Sequence, residues 1–249
     1  MNIINGFVLN NFTIEDNKSL ISVFSKENGL INLYAMGLQS ERSKNKYSAL
    51  KFSKSEFEIF QTKDPEKMSK LKTGKLNISI DISTISYEDY LYITTIFQVV
   101  EKTSNFGEVN QKKYKFIDDV FLAFVEDPKN RFVIFLYFML NYLEYVGRKW
   151  NLVTCIKCRK RVNKFIDFDY VNKQFICLGC QNQSSFETDM ELFIKTLEYF
   201  SHVKVGKIIK EEYDSKTLVK INRVLMDEYK NEVGLITTSI IELSKGRFV

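Results

Sequence analysis

Residues 1–80 contain short stretches in which apolar and polar residues alternate. Alternation with a period of two is typical of β-strands that bury one face. Five strands are predicted, at residues 3–9, 20–25, 30–36, 55–60 and 75–80. The Asn28-Gly29 pair between the second and third strands is typical of a tight hairpin turn. Five short strands favour a small barrel such as an OB-fold, and an SH3-like barrel or an open meander fits the pattern nearly as well.

The hydrophobic period changes after Asp81 and becomes that of helices. Residues 86–89 resemble a capping box, the side-chain arrangement that begins many helices, and residues 184–187 offer a second one. The second box precedes an apolar stripe at helical spacing, formed by Met190, Phe193, Ile194, Leu197 and Phe200. Further helices are predicted at residues 112–126, 131–146, 215–231 and 235–243. The third predicted helix is apolar on all sides over residues 132–140, which is typical of the centre of a bundle.

The four cysteines form two C-x-x-C pairs, Cys155 with Cys158 and Cys177 with Cys180. This spacing is typical of a four-cysteine zinc site, because two tight turns joined by a hairpin can bring four thiolates around one ion. Two disulfides or a redox pair are less favoured, since the chain has neither a secretory signal nor a βαβ pattern. We expect one structural Zn²⁺ per chain, with no position left for water or substrate.

The predicted fold class is therefore α+β. An N-terminal OB-like β-barrel occupies residues 1–80 and an α-helical domain occupies residues 81–249. The cysteine hairpin, a zinc finger at residues 151–185, is inserted between helices of that second domain. The longest apolar run has nine residues, fewer than the roughly twenty that span a bilayer, and no targeting segment precedes it. We expect a cytoplasmic protein that makes no membrane contact.

Composition is that of a globular protein, with 45% hydrophobic and 14% aromatic residues. The formal net charge is +5, and the positive excess lies in residues 1–80 and 151–185. Such a distribution suggests a polyanionic partner. The chain has one histidine, His202, and lacks the G-x-S-x-G, Walker A and G-x-G-x-x-G motifs. The sequence therefore predicts no enzyme, and a hydrolase that uses His202 is a remote alternative.

Two clusters of basic residues are the candidate DNA-binding groups. They comprise Arg42, Lys44, Lys46 and Lys51 in the first domain, and Arg148, Lys149, Arg159, Lys160 and Arg161 around the first cysteine pair. Such cations contact phosphates without sequence preference. Aromatic residues on the barrel stack on bases in some OB-folds, and Phe12, Tyr34 and Tyr47 are candidates. An alternative is that these cations are only solvated, and that the chain is a zinc-ribbon scaffold that binds proteins.

Several local stretches resemble the bacterial recombination and repair mediator family RecO. They are Gly6–Leu9, Ile21–Ile31, Leu143–Cys155, Phe165–Phe168 and Phe175–Cys177. The order of parts is similar too: a strand module, a helical bundle and a C-x-x-C hairpin within that bundle. The chain departs from the family pattern at Met36, where a lysine usually precedes the glycine, and at Arg159, where a glycine often follows the second cysteine.

The resemblance implies a fold and a set of partners. It implies an OB-fold that binds single- and double-stranded DNA, a helical domain that holds zinc, and annealing of complementary strands. It also implies partnership with a RecR-like protein, contact with the single-stranded-DNA-binding protein, and indirect assistance to the RecA recombinase. A nucleoid-associated protein of DNA recombination and repair is the resulting expectation.

Overall fold

Five strands at the N-terminus pair side by side until the first meets the last. They are β1 (Asn2–Glu15), β2 (Lys18–Ser25), β3 (Gly29–Met36), β4 (Ser53–Phe60) and β5 (Ser69–Ser79). The strand order is β1-β2-β3-β5-β4, and β4 pairs with β1 to close the barrel. Only β3 and β5 run parallel. This arrangement confirms the OB-like barrel and excludes the open meander.

The structure is a computed structural model that describes residues 2–15, 17–64, 67–162, 164–181 and 188–246. Contacts divide the chain into two units, Met1–Val125 and Glu126–Val249. Within the described residues, no helix combines the length and the apolar composition needed to cross a lipid bilayer.

The interior of the barrel is filled by alternate residues of its strands. These buried side chains include Ile4, Val8, Ile21, Val23, Ile31, Leu33, Phe57, Ile59 and Leu71. Because successive side chains of a strand point to opposite faces, the residues between them lie on the outer surface of the barrel. The outer surface carries two rows of side chains that differ in how far they are buried.

One row on the outer surface is covered by helices. Phe7 of β1 pairs with Phe24 of β2, and Phe24 pairs with Leu30 of β3, so the three form what we call the covered row. Helices α1 (Tyr87–Thr103) and α2 (Gln111–Glu126) supply the cover. The ring of Phe7 lies 6.3 Å from that of Phe97 in α1 and 5.3 Å from that of Phe121 in α2. The first two helices therefore share a hydrophobic core with the barrel, and the predicted domain boundary after residue 80 stays a prediction.

A second row crosses the same strands further along, and its members are exposed or half-buried. Strand register places Phe12, Leu20, Tyr34, Lys70 and Phe60 side by side on β1, β2, β3, β5 and β4. We call this set the open row. Phe12 is 51% exposed and Phe60 is 49% exposed, whereas Phe7 and Phe24 are almost fully buried.

The second unit is built around an apolar helix. Its helices are α3 (Arg131–Tyr142), α4 (Thr188–His202), α5 (Val205–Ile208), α6 (Ser215–Asn231) and α7 (Thr238–Ser244). Residues 133–140 of α3 are all buried, as the apolar run predicts. The Tyr229 hydroxyl of α6 donates a hydrogen bond of 2.9 Å to the carbonyl oxygen of Met139. A two-stranded hairpin, β6 (Phe165–Asp169) and β7 (Gln174–Cys177), lies between α3 and α4 in the chain.

Several element boundaries differ from the predicted ones. The predicted third helix narrows into a 3₁₀ turn at Leu143–Val146, and Gly147 ends it in a left-handed conformation with φ of 72°. Strand β5 begins at Ser69 rather than at residue 75, and α7 begins at Thr238 rather than at residue 235. The capping box at Ser86 is confirmed, because its side chain accepts a hydrogen bond from the Asp89 amide. The box predicted at residues 184–187 lies outside the described residues.

Candidate metal centre and nucleic-acid surfaces

The four cysteine sulfurs converge on one point. Each Sγ atom of Cys155, Cys158, Cys177 and Cys180 lies within 4.8 Å of the other three. The Sγ atoms of Cys158 and Cys177 are 3.8 Å apart. In a tetrahedral site with metal–sulfur distances of about 2.3 Å, sulfurs are separated by about 3.8 Å. All four cysteines are free thiols, so the donor set fits one four-coordinate metal ion.

Backbone hydrogen bonds shape the first cysteine turn and hold it against the hairpin. The Arg159 amide donates to the Cys155 carbonyl oxygen at 2.8 Å, which closes a turn around the first pair. The Ile156 amide donates to the Phe175 carbonyl oxygen at 2.9 Å, so the turn is joined to β7. Arg159 has a φ of 59°, a left-handed conformation that glycine adopts more readily than other residues. The chain therefore places a strained residue directly after Cys158, one of the four clustered cysteines.

Aromatic packing fixes the hairpin to α4. The ring of Phe168 lies 5.3 Å from that of Phe193 in α4 and 5.9 Å from that of Trp150. Phe165 and Phe175 pack against each other across the two strands at 5.0 Å. Because these rings are buried, Cys177 is carried by a supported strand, and Cys180 follows it in a 3₁₀ turn at Leu178–Cys180. Packing of the hairpin against α4 and Trp150 therefore holds the cysteine cluster in place.

The pKa values of the Cys155 and Cys180 thiols are shifted in opposite directions. Burial opposes ionisation of Cys155, but hydrogen bonds from the backbone amides of Cys158, Cys177 and Lys157 outweigh it and lower the pKa of this thiol to about 6. Hydrogen bonds with the Cys177 and Cys158 side chains raise the pKa of Cys180 to about 12. Four thiolates this close repel one another, so a bound cation is what allows all four to ionise.

The basic segment between β3 and β4 is anchored by an asparagine. The Asn45 side chain donates to the Lys72 carbonyl oxygen at 3.2 Å and accepts from the Gly74 amide at 2.9 Å, both on β5. A Cβ atom on Gly74 would lie 2.1 Å from the Ser48 Oγ atom, so the segment lies directly on the strand. The backbone is thus held while the cations of this segment remain on the surface.

The candidate cations of the first unit occupy two kinds of environment. Arg42, Lys44 and Lys46 are exposed, and within the described part of the chain none of them forms an ion pair. Lys51 is half-buried, with its Nζ atom 4.8 Å from the centre of the Phe52 ring. The first three are therefore available to a polyanion, whereas the ammonium of Lys51 already contacts an aromatic ring.

The candidate cations of the second unit also fall into two groups, one exposed and one in ion pairs. Arg159, Lys160 and Arg161 are exposed on the first cysteine turn. Arg148 instead pairs with the buried Glu228 at 3.4 Å and with Glu232 at 2.6 Å. Lys149 pairs with Glu144 at 2.5 Å. Much of the positive charge at residues 148 and 149 is therefore compensated within the protein, a feature that sequence clustering does not reveal.

His202 lies at the C-terminal end of α4 beside Ser201. Its Nδ1 atom is 2.9 Å from the Ser201 Oγ atom and 2.8 Å from the Glu198 carbonyl oxygen. The Ser201 hydroxyl donates a hydrogen bond of 2.9 Å to the same Glu198 carbonyl oxygen. Ser201 and His202 thus both contact the helix backbone, a contact that helix-end residues commonly make.

The predicted site residues include Phe12 and Tyr34 of the open row, but not Leu20, Phe60 or Lys70. The predicted fifth strand begins at residue 75, so Lys70 lies outside it. Lys70 is followed by the buried Leu71 and the half-exposed Lys72, an alternation that signals a strand. Phe60 ends a predicted strand, and only the register with β5 places it beside Lys70.

Comparison with known proteins gives concordant matches over nearly the whole chain. The family model described as "Recombination protein O N terminal" matches residues 1–79, and "Recombination protein O C terminal" matches residues 86–238. The DNA repair protein RecO of Mesoplasma florum is 30% identical over 242 residues, which cover 97% of this chain and 90% of that protein. The protein of the same name from Mycoplasma capricolum is 27% identical, over 96% of this chain and 95% of that protein. These matches show that the chain belongs to the RecO family of DNA repair proteins.

Proposed function

We propose that this protein is a non-enzymatic DNA-binding mediator of homologous recombination and repair. In this proposal it binds single- and double-stranded DNA, anneals complementary strands, and helps to load a RecA recombinase together with a RecR-like protein. It also contacts the single-stranded-DNA-binding protein and acts on nucleoid DNA. The observation that carries the proposal is the barrel with an anchored basic segment in a chain of the RecO family.

The geometry of the basic segment supports binding through phosphates. Arg42, Lys44 and Lys46 are exposed on the segment that Asn45 anchors to β5, and this anchor limits the conformational entropy lost at its direct neighbours Lys44 and Lys46 when they meet a phosphate. They are free of carboxylate partners among the described residues, unlike Arg148 and Lys149. Phosphate contacts give affinity without sequence preference, which suits a mediator that acts anywhere on a chromosome.

We further propose that the ion held by the four cysteines is Zn²⁺. Four thiolates at tetrahedral separation are a donor set typical of structural zinc. The ion fills its coordination sphere with protein ligands and supplies no chemistry to a substrate. Its role is to hold the first cysteine turn, and with it Arg159, Lys160 and Arg161, on the hairpin.

Binding measured against salt concentration tests the DNA proposal. Each phosphate contact contributes about 0.7 to 0.9 to the slope of log affinity against log salt. Replacing Arg42, Lys44 and Lys46 by glutamine should therefore lower the slope by up to about 2 to 3 and weaken strand annealing. A matched control replaces Lys115, Lys195 and Lys245, each paired with a carboxylate, and should leave the slope nearly unchanged. A flat salt response of the unmodified protein would instead favour the protein-binding scaffold.

A further inference from the structure

The cysteine cluster borders a cavity that opens to the surface. Cys158, Cys177 and Cys180 line this cavity, which has a volume of about 500 Å³ and whose other walls are formed by Lys160, Val162, Lys164, Leu178 and Gly179. Cys158 and Cys180 are half-buried, whereas Cys155 is fully buried. A water molecule takes up about 30 Å³ of liquid, and hydrogen peroxide is only slightly larger. A small solute can therefore reach three of the four cysteines, although the metal ion has a complete set of protein ligands.

Two of the cysteines that line the cavity are close enough to form a disulfide. The Sγ atoms of Cys158 and Cys177 are 3.8 Å apart. A disulfide bond is about 2.0 Å long, so a small local movement is sufficient to join them. Accessible thiolates with a second cysteine nearby are the ones that oxidise most readily and reversibly. Lys160 and Lys164 place positive charge at the cavity wall, an environment typical of reactive cysteines.

We propose that this cavity makes the cysteine cluster a site of reversible oxidation by hydrogen peroxide, and that oxidation releases the metal ion. The Cys158 thiolate attacks one peroxide oxygen, the O–O bond breaks, and Cys158 becomes a sulfenic acid while hydroxide leaves and takes a proton from solvent. The Cys177 thiolate then attacks the Cys158 sulfur, the S–O bond breaks, and a second hydroxide leaves as water. The two sulfurs lose two electrons in total, and the peroxide gains them. The inference rests on the proposed Zn²⁺, which dissociates when two of its four ligands are lost.

The consequence of oxidation is local to the two cysteine turns. The Lys157 Nζ atom donates to the Cys180 carbonyl oxygen at 3.2 Å, so a change in one turn is felt by the other. The ring contact at 5.3 Å between Phe168 and Phe193 involves no cysteine, and it keeps the hairpin packed on α4. Oxidation therefore alters the turn that carries the exposed cations of residues 159–161, while the second unit stays folded.

The test adds hydrogen peroxide to the metal-loaded full chain and follows released zinc with a metal-sensitive dye. One zinc and two thiols should be lost per chain, and tandem mass spectrometry should find Cys158 joined to Cys177. A thiol reductant with added Zn²⁺ should restore both the metal and the thiols. A disulfide between other cysteines, or oxidation that the reductant does not reverse, would overturn the proposal.

Two substitutions change the cavity without replacing a cysteine. A Cβ atom on Gly179 would have no neighbouring atom within 4 Å, so Gly179→Leu should narrow the cavity and slow zinc release several-fold. Leu178 is 50% exposed and lines the same cavity, so Leu178→Ala should widen it and speed release. Zinc content before oxidation checks that each variant keeps its metal site.

Gly206→Leu is the matched control, because a Cβ atom on Gly206 would also be free of contacts and this glycine lies on α5. Equal rates of zinc release in the two cavity variants, the control and the unmodified protein would overturn the cavity as the route of oxidation. Zinc that stays bound at a peroxide concentration that oxidises a free cysteine peptide would overturn the whole inference and leave the zinc and DNA proposals standing. Protein purified without any metal would contradict the zinc proposal and this inference together, and the salt dependence of DNA binding would still test the mediator.

Discussion

The barrel should not fold without its two helices. A fragment of residues 1–80 keeps all five strands but loses α1 and α2. Phe7, Phe24 and Phe52 then lose their partners, which are Tyr90, Phe97, Tyr114 and Phe121. A fragment of residues 1–125 keeps these contacts and matches the first compact unit.

The magnitude follows from the burial of three rings. Phe7, Phe24 and Phe52 are each no more than 1% exposed in the intact protein. Exposing one such side chain costs about 1.5 to 3 kcal/mol, so the three together cost about 5 to 9 kcal/mol. Lost ring–ring contacts add about 0.5 to 1.5 kcal/mol for each pair. The total is comparable to the whole stability of a domain, about 5 to 15 kcal/mol.

Urea unfolding followed by far-ultraviolet circular dichroism measures this directly. The single tryptophan, Trp150, is absent from both fragments, so tryptophan fluorescence cannot report on them. Residues 1–125 should unfold in one cooperative transition, whereas residues 1–80 should show none. In the full chain Phe7→Ala should cost about 3 to 5 kcal/mol. Phe12→Ala, on the same strand but half exposed, should cost less than about 1 kcal/mol. A cooperative transition in residues 1–80 at the urea midpoint of the longer fragment would refute the reasoning.

Three further predictions concern the metal turn and a buried lysine. Elemental analysis should find one zinc per chain. Cys177→Ser should abolish zinc binding and change the fluorescence of Trp150, which packs on the hairpin. Folded, reduced protein without zinc would contradict this prediction. Arg159→Gly should stabilise the zinc-bound form by about 1 kcal/mol in denaturant titrations, because it removes a left-handed non-glycine residue; a loss of stability would show that the arginine side chain compensates for its strain. Burial lowers the pKa of Lys113 to about 8, and the nearby Glu108 opposes this shift. Between pH 8 and the ordinary lysine pKa the unfolded chain therefore binds more protons than the folded chain, so the free energy of unfolding rises with pH. The stability gap between Lys113→Met and the unmodified protein should therefore narrow between pH 8 and 10, and a constant gap would exclude this assignment.

Local signals were sufficient for much of the fold. Ser86 begins α1 as the capping box predicts, α6 spans Ser215–Asn231 as its periodicity predicts, and the cysteine spacing predicts the clustered thiols. The predicted start of β5 is six residues later than the observed one, because after Leu71 its side chains are exposed or half-buried and show almost no apolar alternation. The four-residue helix α5 is too short to have a period.

The covered and open rows were beyond sequence reasoning for a different reason. Phe7 and Val8 are both fully buried, one against helices and one inside the barrel, and a continuous apolar run does not say which face meets which partner. The helices that cover Phe7 begin eighty residues or more later in the chain. The ion pair between Arg148 and Glu228 likewise joins residues that are distant in sequence, so local sequence does not show that the charge of Arg148 is compensated.

The hydrogen bonds between Asn45 and β5 divide the segment between β3 and β4 into two parts, which differ in the sequence changes they tolerate. Beyond Asn45, Ser48 lies so close to Gly74 that neither position tolerates added volume, and length changes there would displace the barrel wall. Residues 40–44 carry no such contact with β5 among the described residues, so their length and charge can vary without disturbing the fold. Under the proposed function, substitutions at residues 40–44 should therefore change DNA affinity while the barrel stays folded.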